Sequence, residues 1–126
     1  MTGERVLQIG MDPDVIDFSA WPDQDADTLR RRIGEAEASL RRAGFEVTAC
    51  LLHDDADAAE SMVAASFAQE AFDVVEIGAG LRTSREYTLV FERVVNLVSR
   101  LQPGVQICFN DSPETTLDPV LRGMAR

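Results

Sequence analysis

The sequence predicts a three-layer α/β domain of the flavodoxin-like or Rossmann-like type, with four parallel strands whose first choice of order is 2-1-3-4. Two patterns carry that expectation: four short apolar runs, and stretches of helical periodicity that alternate with them. A chain of 126 residues has room for one domain, residues 1–126, and 45% hydrophobic with 27% charged residues are ordinary globular proportions.

The strands are expected at residues 5–9, 45–52, 73–77 and 105–109, where β-branched Val6, Val47, Val74 and Ile107 recur. After the first strand, Leu29, Ile33, Ala36, Leu40 and Ala43 step by four and three along one helix face, and Gly44 provides the stop. The second helix is expected to open on a capping pair, Asp57 with Glu60, and to bury Val63, Phe67 and Ala71. A third begins with a Thr83/Glu86 capping box, carries Tyr87, Val90, Phe91, Val94, Val95, Val98 and Leu101 on one stripe, and ends at Pro103 and Gly104. Ser112 and Pro113 start a last, weaker element that runs through Val120 and Leu121. Strand and helix in alternation imply right-handed crossovers, helices on both sheet faces and a topological switch point between the first and third strands.

Twenty-two acidic against 12 basic residues give a net charge of −10, which disfavours a nucleic-acid backbone or an anionic membrane surface as partner. All 12 basic residues are arginine, so chemistry that needs a lysine is excluded. The apolar runs are short and the N-terminal one lacks a cleavage site, so a cytoplasmic protein is expected. Cys50 and Cys108 each lie in an apolar run and read as small buried hydrophobes.

Ligands of open parallel sheets bind where the loops leave the carboxyl ends of the strands. The loop after strand three offers Gly78, Ala79 and Gly80 for close backbone approach, with Arg82 and Arg85 beside it, a combination suited to phosphate, nucleotide or carboxylate. Asn110, Asp111 and Ser112 follow strand four and can orient a ligand or equally form a plain turn. The first loop, residues 11–26, is long and holds the only tryptophan, Trp21. Its Asp12 and Asp14 have the D-x-D spacing of a Mg²⁺ site for phosphoryl transfer, and Asp12 can instead cap a short turn that starts at Pro13. His53, the only histidine, ends strand two and is a candidate acid or base, although the 2-1-3-4 order puts it on an edge strand.

The segment Asp12, Pro13, Asp14, Val15 resembles the first motif of haloacid-dehalogenase phosphatases, and Asn110 to Ser112 their last acidic motif, but the lysine between those motifs is missing. The Asp12 pocket also resembles that of two-component receiver domains, except that Gly78 stands where they have the phosphoacceptor aspartate. The chain is similar over most of its length to a group of short microbial α/β proteins. It shares with them Ile9, Gly10, Met11 with Pro13, Asp14, Val15; Asp17, Phe18, Ser19; Gly78, Ala79, Gly80, Arg82; Phe91, Glu92, Asn96; Pro103; and Cys108, Phe109, Asn110 with Pro113. That likeness implies an α/β domain and no particular activity.

The expectation is thus a module that binds an anionic small molecule through Asp12, Gly78, Ala79, Gly80, Arg82, Arg85, Asn110 and Ser112. The alternatives are a Mg²⁺-dependent phosphoryl-transfer enzyme with Asp12, Asp14 and Asp111, or a non-catalytic interaction protein. Leu89 and Leu97 on the third helix, with Leu117, Val120 and Leu121, are expected to form a patch for a homodimer.

Overall fold

The structure, a computed structural model, describes residues 3–125. Four strands, β1 (Arg5–Met11), β2 (Glu46–Leu52), β3 (Val74–Ile77) and β4 (Gln106–Phe109), form one parallel sheet in the order β2-β1-β3-β4. This is the flavodoxin-like order expected from the sequence, and it places the switch point between β1 and β3. Among the described residues no helix is long and apolar enough to cross a membrane.

Five helices cover the sheet: α1 (Ala26–Arg42), α2 (Ala56–Gln69), α3 (Ala79–Thr83), α4 (Thr88–Leu101) and α5 (Leu117–Met124). Because side chains alternate along a strand, β1 sends Leu7, Ile9 and Met11 to the face under α2 and α4, where they meet Val63, Val94 and Val98. Each such fully buried aliphatic side chain stabilises the fold by about 2 kcal/mol. The opposite face takes Val6, Val47, Val74 and Cys108, covered by Leu40 of α1 and Val120 of α5. α5 lies so close that a Cβ on Gly123 would stand 2.9 Å from Val74 Cγ2.

Some helix ends lie where the local signals put them and others do not. Gly44 and Gly104 adopt φ of 100° and 84°, the left-handed conformation that glycine supplies after a helix. The cap of α2 is Asp55, which accepts from the Ala58 amide at 2.8 Å, whereas Asp57 and Glu60 turn outward to share Arg93 of α4. Ala71 lies beyond the end of α2 and is exposed.

The Thr83/Glu86 capping box does not form. The long helix starts only at Thr88, after α3 and a 3-10 turn (Arg85–Tyr87), and the Thr83 hydroxyl donates to Ala79 O at 2.8 Å. Ser112 does enter a capping box, with Thr115, on a separate 3-10 turn (Pro113–Thr115) ahead of α5. Leu97, expected in the dimer patch, is buried in the α2/α4 core, and Val120 is buried as well. Leu89 and Leu121 remain exposed but lie on helices that cover opposite faces of the sheet, so they do not form one patch.

Candidate functional site

On the α1/α5 face the helices leave a gap. α5 spans only eight residues and packs against β3 and β4, while α1 buries only Ala36 and Leu40, both in its second half. The first half of the predicted apolar stripe, Leu29 and Ile33, instead lines a cavity of about 400 Å³ over the carboxyl ends of β1 and β3. That volume lies in the ordinary range for small-molecule sites. The β1–α1 loop contributes Phe18 and Trp21 to its wall, and Trp21 is half exposed.

The strand register explains both the space and its polarity. Gln8 of β1 and Glu76 of β3 are direct partners in the ladder, with Ala49 and Cys108 on either side in the same row. One row further along are Gly10 and Gly78, whose lack of side chains leaves the sheet bare above the polar pair. A Cβ at Gly78 would come no nearer than 3.5 Å to Ile9 O, so glycine is not needed there for backbone fit.

Gln8 and Glu76 are 5% and 1% exposed, and both line the cavity. Gln8 Oε1 and Glu76 Oε2 are buried without a hydrogen-bond partner among the described residues. Burial raises the Glu76 carboxyl to about 8, so it is protonated at neutral pH and can donate as well as accept. The neighbouring Cys108 thiol is pushed up to about 12, by burial first and then by the Glu76 charge, and stays protonated at neutral pH.

The rim unites several residues expected from the sequence. Gly78, Ala79, Gly80, Asn110, Asp111 and Ser112 all line the cavity. Asn110 is buried and holds the two loops together: its Oδ1 accepts from the Ala79 amide at 2.9 Å and its Nδ2 donates to Thr116 Oγ1 at 3.0 Å. The Ala79 amide, expected to face a ligand, is thereby occupied, and α3 is a single five-residue turn rather than the start of a long helix.

Arg82 and Arg85 do not line the cavity. The Arg82 guanidinium donates to Asn110 O at 2.8 Å and sits 5.5 Å from the Phe109 ring centre. The arginine on the cavity wall is Arg32 of α1, paired with Glu114 at 2.7 Å, and this contact holds the Glu114 carboxyl down at about 2.

Asp12 also lies outside the cavity lining. It caps a 3-10 turn (Pro13–Val15), accepting from the Asp14 amide at 2.9 Å, and both aspartates share Arg30 at 3.3 and 3.0 Å. Asp12 and Asp14 thus share one guanidinium, while Asp111 lies on the cavity rim. Among the described residues no group of three or more His, Cys, Asp or Glu side chains is placed to hold a metal. His53 is exposed at the end of the edge strand β2 and is not part of the cavity.

Three cavity groups were missed in the sequence: Gln8, Glu76 and Arg32. The first two carried a signal, since V-L-Q-I and V-V-E-I each place one polar residue in an otherwise apolar buried strand. Arg32 carried none, being one of three consecutive arginines.

These features define an α/β domain with a ligand-sized crevice at the switch point of a four-stranded parallel sheet. No protein-family model and no curated protein matches the chain. Of the likeness to short microbial α/β proteins, the structure bears out the fold.

Proposed function

We propose that the protein is a small-molecule-binding module whose ligand enters the crevice over β1 and β3 and carries an anionic group. The observation that supports this best is the cavity of about 400 Å³ at the switch point, with Arg32 on its wall. A ligand carboxylate or phosphate meets the guanidinium at the rim by displacing Glu114, and Ser112 adds a hydroxyl beside it. Glu76, neutral at physiological pH, does not repel such a ligand.

Inorganic phosphate, citrate and adenosine monophosphate serve as anionic probes, read by thermal unfolding and by the fluorescence of the single tryptophan at the cavity mouth. A ligand bound only to the native state raises the melting temperature. The expected result is a saturable shift with at least one probe, lost in Arg32→Ala and in Gly78→Val, whose side chain fills the space above Glu76. The Arg82→Ala/Arg85→Ala double variant retains the shift. Absence of any shift in the parent protein removes the basis for an anionic ligand.

A further inference from the structure

Among the described residues, no group meets the hydrogen-bonding demand on the floor of the cavity. Gln8 Oε1 and Glu76 Oε2 are buried without partners, face the same space and belong to residues paired directly across the β1/β3 ladder. Neighbouring parallel strands lie about 4.8 Å apart, so the heads of two side chains in one row can be spanned by a single small functional group. An unmatched buried acceptor destabilises the fold, and a group that supplies the missing donor recovers that cost. The walls beside this floor include Phe18, Trp21, Leu29 and Ile33, an apolar lining with two aromatic side chains that suits a flat ring.

We propose that Glu76 and Gln8 form a recognition site for a planar ligand edge carrying two adjacent N–H donors, as in an amidinium or a 2-amino nitrogen heterocycle whose ring nitrogen bears hydrogen. One N–H meets a Glu76 oxygen and the other the Gln8 amide oxygen, while the ring lies along the aromatic and aliphatic wall. A cationic amidinium adds charge pairing, and the Glu76 proton then leaves to solvent. The inference deepens the proposed function and rests on the same cavity: the anionic group of the ligand stays at the Arg32 rim and the N–H edge reaches the floor, so the full ligand has both ends.

Benzamidine is a direct probe, because it is flat and presents two N–H donors on one edge. Acetophenone has a similar shape and no N–H. Both are titrated against the full chain with Trp21 fluorescence and thermal unfolding as readouts, and circular dichroism confirms the fold of each variant. The expected result is saturable benzamidine binding that weakens roughly tenfold or more in Glu76→Gln and in Gln8→Leu, equivalent to about 1.4 kcal/mol. Acetophenone binds detectably weaker than benzamidine.

Unchanged benzamidine affinity in both folded variants, equal affinity for acetophenone, or no saturable binding of benzamidine each overturns the inference. Should only one variant fold, that variant decides. The two proposals fail separately: anion binding without benzamidine binding removes this inference and leaves the anionic module. Benzamidine binding without any anion response does the reverse.

Discussion

Glu76→Gln should make the protein more stable, by an amount that grows with pH. The carboxyl is 1% exposed, has an unpartnered oxygen and is raised by burial from 4.5 to about 8. Below about pH 4.5 it is protonated in both the folded and the unfolded chain and contributes no pH dependence. As pH rises from there only the unfolded chain releases the proton. Folding then loses about 1.4 kcal/mol per pH unit, until the folded carboxyl also ionises near pH 8.

The sign is thus the reverse of a paired carboxylate: stability is fully present at low pH and falls as pH rises through this window. The whole window is worth about 5 kcal/mol, and about 3 kcal/mol of it has been lost at pH 7. Glutamine has nearly the same shape and no proton to lose. The variant should therefore match the parent near pH 4.5 and exceed it by about 3 kcal/mol at pH 7, a shift of about 10 °C in melting temperature for a domain of this size. Urea unfolding of both proteins at pH 5, 6, 7 and 8 measures the gap directly, and other titrating groups cancel in the difference. A gap that stays flat across the series, or a parent more stable than the variant at pH 7, would refute the burial argument.

Leu97→Glu, which buries a carboxylate in the α2/α4 core, should cost more than about 3 kcal/mol, whereas Leu89→Glu on the exposed side of the same helix should change stability by less than about 0.5 kcal/mol; denaturant midpoints of the two compare them. Gly123→Ala should destabilise by about 1–3 kcal/mol, because its Cβ meets Val74 Cγ2 at 2.9 Å, and calorimetry checks this. Gln102→Leu should lower the melting temperature, since the amide both donates to Phe72 O at 2.6 Å and accepts from Phe72 N at 2.9 Å, leaving the backbone before β3 unpaired. Arg32→Ala should cost less than about 1 kcal/mol of stability, its partner Glu114 being exposed, while returning the Glu114 carboxyl toward its ordinary value as followed by NMR titration.

Local chemistry alone determined a large part of this protein. The apolar runs around Val6, Val47, Val74 and Ile107, the helical stripes between them and the stops at Gly44 and Gly104 depend on backbone preferences and periodicity, which a linear sequence records directly. The strand order followed from placing the first strand inside the parallel sheet. The Gly78–Gly80 and Asn110–Ser112 loops were legible as one site because every such loop leaves the same sheet edge.

Tertiary structure decided which neighbours those loops face and which charges reach them. Asp12 and Asp14 were claimed by Arg30, and Arg82 was claimed by Asn110 and Phe109, because an arginine's long side chain takes the best acceptor in space rather than in sequence. Whether Leu29 and Ile33 pack against the sheet or line a cavity depends on how far α5 extends over the same face, which the pattern of α1 does not contain. The pairing of Gln8 with Glu76 exists only through the β1/β3 register, 68 residues apart in the chain, and so does the unmet hydrogen-bonding demand that they share.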